Sequence, residues 1–305
     1  MGFAPCYIKT YANSKLREKI EAGYKILENC ALCPRQCKVN RIKGELGTCK
    51  VGKDPMVSSA SPHFGEEPPL VGRHGSGTIF LTGCNLHCLY CQNYEISHLM
   101  MGEVVTTEEF AEQMLYLQRL GCHNINFVTP THQVPQILAA LEIAIPKGLK
   151  VPLVYNTGGY DSIQELKLME GIIDIYMPDF KYWNEEIAER YSNAARNYPE
   201  ITMAALKEMQ RQVGDLVIDK EGVAQRGLLI RHLVLPEGLA GTKEVLHFVA
   251  SEISKNSYVN IMDQYRPCGK AFDFPPLNRR ITPEEYREAA EIAEKEGLHR
   301  GFPHP

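Results

Sequence analysis

Cys84, Cys88 and Cys91 stand in the run Cys-Asn-Leu-His-Cys-Leu-Tyr-Cys, directly after Gly83 and a short apolar stretch. Thiolates this close cannot spread along a helix or a strand, so the segment fits a loop wrapped around one compact inorganic centre. A [4Fe–4S] cluster normally takes four cysteines. Three leave one iron without a protein ligand, much as a catalytic zinc site keeps a position for substrate, and an open iron binds and reduces a small molecule. The competing use of the same residues is a zinc knuckle completed by His87.

A second group, Cys30, Cys33, Cys37 and Cys49, supplies four thiols, enough to close a tetrahedral structural site. Such a site staples a segment that has little core of its own. Zinc, an auxiliary [4Fe–4S] cluster and unmetallated thiols all remain open here, because spacing does not choose between metals. Of the ten cysteines, Cys6, Cys122 and Cys268 are isolated, and the first two read as buried thiols. In a reducing cytosol, closely spaced thiols point to metal rather than to disulfides.

The elements that must position these groups follow from periodicity. From about Gly75 onward, β-branched or apolar runs alternate with helical patterns, the signature of strand-helix units around a parallel sheet. Six strands are predicted, at 78–82, 124–128, 151–155, 172–177, 228–234 and 258–262. A Thr106/Glu109 capping box opens a helix to about 120, helices follow at 135–147 and 161–170, and Thr282, Pro283 and Glu285 open the last one. The connection after the fourth strand, at about 182–225, reads as an insertion with two helices and a hairpin around Asp219 to Gly222. Residues 1–74, with a helix at 14–27, the four-cysteine group and the Glu66-Glu67-Pro68-Pro69 passage, read as an N-terminal metal-binding cap on a barrel of residues 75–305.

The Cys84–Cys88–Cys91 spacing, with an aromatic residue just before the last cysteine, resembles the radical S-adenosylmethionine (radical SAM) superfamily. The resemblance implies an α/β fold, a partial (β/α)6 TIM-type barrel. It implies that the three cysteines hold a [4Fe–4S] cluster whose fourth iron is chelated by S-adenosylmethionine, with Tyr90 beside the adenine. Reductive cleavage of that cofactor yields a 5′-deoxyadenosyl radical that abstracts hydrogen from substrate. Further motifs resemble the pyruvate formate-lyase activating enzymes and an uncharacterised branch named for its similarity to them. Asn156-Thr157-Gly158-Gly159 is similar to the family's turn after the third strand, Asp179-Phe180-Lys181 matches its Asp-x-Lys motif, and Arg231 looks like the arginine that contacts the cofactor carboxylate or ribose. Taken singly, these residues also read as a turn, an exposed ion pair and a paired core charge. In a barrel of this kind, strand ends collect scattered residues into one site.

The sequence departs from the family where Gly-Gly-Glu usually holds the methionyl ammonium. Thr129-Pro130-Thr131-His132 stands there, so Thr129 and Thr131 become the candidate acceptors, and His132 a structural or substrate-side group. Asp263, Gln264, Tyr265 and Cys268 are substrate-pocket candidates or structural residues. The implied partners are a glycyl radical enzyme or another protein or peptide substrate, together with an electron donor such as flavodoxin or ferredoxin. An enzyme acting on a small molecule is the alternative, and a non-catalytic iron–sulfur or zinc electron carrier the second. The formal net charge is -4, which argues against a dedicated nucleic-acid binder. No apolar run is long enough to span a membrane and no secretory signal is evident, so a cytoplasmic protein is expected.

Overall fold

The computed structural model describes residues 3–302. The chain enters through α1 (Cys6–Ala12) and α2 (Lys15–Leu27), passes through the cysteine-bearing segment, and forms β1 (Met56–His63) and a helical turn, α3 (Pro68–Val71). Then come β2 (Ser76–Leu81), the cysteine loop, α4 (Tyr94–Ser97), β3 (Glu103–Val104), α5 (Thr107–Arg119), β4 (Ile125–Val128), α6 (Val134–Ala144), β5 (Leu153–Thr157), α7 (Ile163–Met169) and β6 (Ile175–Pro178). The insertion supplies α8 (Glu185–Tyr191), α9 (Tyr198–Val213) and β7 (Val217–Ile218), before β8 (Ala224–Leu233), α10 (Thr242–Phe248), β9 (Tyr258–Met262) and α11 (Pro283–Lys295).

The parallel ladder runs β2-β4-β5-β6-β8-β9 and takes in all six strands predicted from periodicity. This is an α/β fold, a partial TIM-type barrel. Both predicted capping boxes form: Thr106 and Thr282 each accept an N–H from, and receive the side chain of, the glutamate three residues on. The hairpin of the insertion is β7 against β8. Because side chains alternate across a strand, Val154 and Asn156 of β5 lie on one face, as do Leu229 and Arg231 of β8. Val154, Ile175, Met177 and Leu229 pack with Leu70 of the α3 turn into an apolar floor. Asn156, Asp179 and Arg231 lie farther along their strands, where the barrel becomes polar.

Periodicity missed the short turns α3 and α4 and four further elements. α1 is a single buried face, Tyr7 and Thr10, tied to the barrel by Tyr7 Oη to the Val151 carbonyl (2.9 Å) and Thr10 Oγ1 to the Gly171 carbonyl (2.6 Å). β1 reads Met-Val-Ser-Ser-Ala-Ser-Pro-His, poor in β-branched residues. Its structure comes from antiparallel pairing with β2 and from Gln133, whose amide bonds both the N–H and the carbonyl of Met56. Through β1, residues before position 75 share one sheet with those after it. β3 is a two-residue pairing onto β1, and α10 runs on into a wider π turn at Val249–Ile253.

Candidate active site

The cysteine loop leaves β2 through Gly83, whose φ of 83° lies in the region that favours glycine. A Cβ there would meet the carbonyl oxygen of Cys49. Each thiol of the loop takes a hydrogen bond: Leu86 N–H to Cys84 Sγ (3.3 Å), Ser97 Oγ to Cys91 Sγ (3.3 Å) and Ser192 Oγ to Cys88 Sγ (3.1 Å). Burial, and then the neighbouring Cys88 and Cys91, push the Cys84 thiol up to about 12. Left alone it stays protonated, and a metal is what turns such a thiol into a thiolate. Donors aimed at the sulfurs are what an iron–sulfur centre uses to tune its potential. These residues fit a cluster held on three cysteines.

Opposite the loop, the strand ends carry one ion network. Arg231 donates from Nε to Asp179 Oδ1 and from Nη2 to Asn156 Oδ1, both at 2.7 Å, and Lys181 Nζ lies 2.5 Å from Asp179 Oδ2. Burial opposes the Asp179 charge, but the Arg231 guanidinium and then the Lys181 ammonium outweigh it and hold the carboxyl below its usual range. Burial likewise opposes the Lys181 charge, and Asp179, Cys88 and Tyr198 overcome it. Lys181 thus stands within the field of the cysteine loop. Gly158, at the end of β5, packs between Leu86 and Lys181: a Cβ there would lie 3.4 Å from Leu86 Cδ2 and 3.6 Å from Lys181 Cε. Cysteine loop, Asn156, Asp179, Lys181 and Arg231 therefore share one end of the barrel.

The remaining predicted residues divide. Tyr90 is buried between Tyr182 and Tyr265, at ring-centroid distances of 6.3 and 5.7 Å. Thr129 has a left-handed φ of 61° and its N–H bonds the Asn156 carbonyl at 2.8 Å. Thr131 is buried, and its hydroxyl donates to Asp161 Oδ1 at 2.7 Å. Burial raises Asp161 to about 6, against the bonds from Thr131, Thr157 and Tyr155 that lower it. His132 is buried and donates from Nε2 to the Thr82 carbonyl (2.8 Å); burial lowers it to about 3, so the ring is neutral. Tyr265 bonds the Leu277 carbonyl at 2.6 Å, Gln264 reaches the Met262 sulfur, Asp263 is exposed and Cys268 half-buried. Lys270 N–H bonds the Leu89 carbonyl at 2.8 Å, drawing the segment after β9 onto the cysteine loop.

Other members of the site had no signal in the sequence. Glu67 Oε1 accepts Asn260 Nδ2 at 3.0 Å and stands 3.8 Å from the Arg231 guanidinium, while Asn156 Nδ2 reaches Glu66 Oε2 at 3.5 Å. Burial raises the Glu66 carboxyl, partly offset by Arg231. From the insertion come Ser192 and Tyr198; the Tyr198 hydroxyl accepts the Lys181 N–H at 2.9 Å and lies 3.0 Å from the Asp179 carbonyl. Only the placement of an insertion after a strand's C-terminal end hinted that it would touch the site.

Comparison with known proteins agrees with this geometry. Residues 78–219 match the pattern of the radical SAM superfamily. Over 289 residues the chain is 34% identical to the uncharacterised protein MJ0674 of Methanocaldococcus jannaschii, covering 92% of this chain and 78% of that protein. The chain belongs to the radical SAM superfamily. A second uncharacterised protein of that organism, MJ0808, is 24% identical over 298 residues, covering 88% of this chain and 78% of that protein. Among solved structures, HydG, a maturase of the [FeFe]-hydrogenase, superposes with a TM-score of 0.51 at 11% identity, covering 73% of this chain and half of HydG. That likeness is one of fold. Membership in the radical SAM superfamily implies a [4Fe–4S] cluster and S-adenosylmethionine. Among the described residues, no helix is long and apolar enough to cross a membrane.

Proposed function

We propose that this radical SAM enzyme holds its cluster on Cys84, Cys88 and Cys91 and activates a glycyl radical enzyme by removing hydrogen from its glycine. When bound, the cluster and S-adenosylmethionine supply the 5′-deoxyadenosyl radical that takes the hydrogen. The observation that carries the reading is a loop of three thiols, Cys88 buried and Cys84 and Cys91 half-buried, each with a hydrogen-bond donor, facing an Asn156–Arg231–Asp179–Lys181 network across one barrel end. Arg231 and Lys181 keep positive charge beside the place where the methionyl carboxylate would sit, and Asp179 fixes both. Thr129 and the backbone turn after β4 would take the ammonium in place of the family's glutamate, and Tyr90 would back the adenine. A flavodoxin- or ferredoxin-like donor supplies the electron. The activase assignment is supported by Asp179-Phe180-Lys181 and the Asn156 turn.

Anaerobic incubation with S-adenosylmethionine and a strong reductant is the test of the chemistry: 5′-deoxyadenosine forms, and its absence from a fully reconstituted sample refutes the reading. Adding a glycyl radical partner deuterated at glycine tests the finer step. Deuterium then appears in the nucleoside; deuterium taken instead from a small molecule or peptide assigns the substrate elsewhere.

A further inference from the structure

We propose that an open cleft against the cysteine loop is the docking site of an acidic protein electron carrier, held there by Lys50 and Lys270. The cleft encloses about 360 Å³ and is bounded by the segment before β1, the cysteine loop, the residue after α4, the insertion and the segment after β9. His87 and Leu89, the chain neighbours of Cys88, line it, whereas Asn156, Asp179, Lys181 and Arg231 do not. It is therefore a second face of the loop, separate from the one that meets the ion network. The inference rests on the proposed function, which puts a cluster on this loop and requires an electron to reach it.

The walls of the cleft are fixed by close contacts with the loop. Gly269 has a φ of 54°, and a Cβ there would come within 2.7 Å of the Leu89 carbonyl oxygen and 2.6 Å of the Tyr94 ring, so the chain carrying Lys270 lies flat on the loop. Lys50 has a left-handed φ of 59°, and its N–H bonds the Gly47 carbonyl at 3.0 Å. The carbonyl of Cys49, just before it, meets Gly83. His98 stacks on Tyr94 at 4.2 Å between centroids and stands 4.9 Å from the His87 ring. Ser97 Oγ lies 2.8 Å from His98 Nδ1 and 3.3 Å from Cys91 Sγ. One hydroxyl thus joins the wall of the cleft to a thiol of the loop.

Charge says what the cleft takes. The chain carries a formal net charge of -4, yet the residues lining this cleft include two lysines and two histidines and no aspartate or glutamate. Both lysines are exposed. Burial first, and then Lys270 and Lys50, hold His98 below its usual range, which places both ammonium groups at that ring. A concave surface of one sign draws in a partner of the other. Leu46, Leu99 and Phe272, exposed side chains within two positions of the cleft residues Thr48, His98 and Lys270, add apolar surface of the kind that marks a protein contact. A small anion has no use for that surface, and a nucleic acid needs a longer basic stripe. In the docked complex the carrier is oxidised by one electron and the cluster on Cys84, Cys88 and Cys91 is reduced by one. No bond is made or broken in that step.

The test uses the anaerobically reconstituted full chain with flavodoxin as the carrier. At low ionic strength, Lys50→Glu/Lys270→Glu slows reduction of the cluster by flavodoxin hydroquinone at least about tenfold, the lower end of what focused charge supplies, and weakens flavodoxin binding in calorimetric titration. Added salt weakens binding to the parent and leaves the variant nearly unchanged. Lys220→Glu/Lys243→Glu makes the same change of charge in the turn between β7 and β8 and on α10, and it binds as the parent does. Photoreduced deazariboflavin, small and uncharged, reduces the cluster equally in all three proteins. A parent that does not bind flavodoxin, binding indifferent to salt, or equal losses in the two variants overturns the inference. If deazariboflavin drives 5′-deoxyadenosine formation in a parent that does not bind flavodoxin, the proposed function stands and the docking site falls; charge-dependent binding without nucleoside gives the converse.

Discussion

The two cysteine regions are built on opposite plans. Around Cys84, Cys88 and Cys91 the thiols take donors from a loop, from α4 and from the insertion, and Lys181 faces them across the barrel end. Around Cys30, Cys33, Cys37 and Cys49 the arrangement is inward: a small cavity lined by all four cysteines, in a segment closed by its own hydrogen bonds and flanked by Arg35 and Arg41. The difference is one of access. A centre that meets substrate needs an open position and polar groups that converge from distant strands, whereas a centre that holds a segment together or passes electrons needs neither.

The contrast is broken most strongly by exchanging the roles of the two groups in mutagenesis. Cys88→Ala is expected to remove 5′-deoxyadenosine formation by at least about 100-fold, since even outer-shell changes at metal sites cost about 10- to 100-fold. Its effect on the thermal midpoint is small. A metal held on these four thiols would contribute folding energy to residues 30–52, so Cys33→Ala is expected to do the reverse in one respect, lowering the midpoint of the whole chain. Equal thermal losses in the two variants, measured by calorimetry on holoprotein, would erase the distinction drawn here.

A smaller effect sharpens it from the barrel side. Asp179→Ala leaves Arg231 and Lys181 without their shared anion at a buried position. A loss of about 3 kcal/mol in urea unfolding is expected, together with weaker S-adenosylmethionine binding by calorimetric titration. Wild-type stability in this variant means the network is held by Glu67 instead. The smallest effect is a pH dependence. His232 is buried between the Phe180 carbonyl and Thr242 Oγ1, and burial lowers it to about 4, with Phe180 and Asp179 opposing. The unfolded chain binds this proton near pH 6.5 and the folded chain does not, so the contribution of His232 is fully present above about pH 6.5 and is lost as pH falls toward 4. Between pH 7 and pH 5 the stability gap between wild type and His232→Gln therefore narrows by about 2 kcal/mol. A constant gap shows that His232 takes up its proton in the fold at the same pH as in the unfolded chain.

How much was legible varies with the reach of the interaction. The six parallel strands, the two capping boxes and the insertion hairpin are local patterns, and each appears where alternation, a Thr-x-x-Glu spacing or a turn placed it. β1 did not, since its order depends on β2 and on Gln133. Asn156, Asp179, Lys181 and Arg231 were named through the family resemblance of short motifs that lie at the ends of recognisable strands. Ser192 was not, because its partner Cys88 is 104 positions away and nothing in its neighbourhood marks it. Glu66 and Glu67 read as part of a proline-rich passage, and only folding brings them to Arg231.

Sequence by itself determined the thiol spacing that defines the cysteine loop, the strand-helix period and the helix starts, because all three are set by residues within a few positions of one another. Tertiary structure alone decided which carboxylates face Arg231, that the insertion supplies a donor to Cys88, and that Arg41 is buried beside four cysteines. Those are contacts between segments with no covalent reason to meet; burial and hydrogen bonding select them only once the barrel has closed.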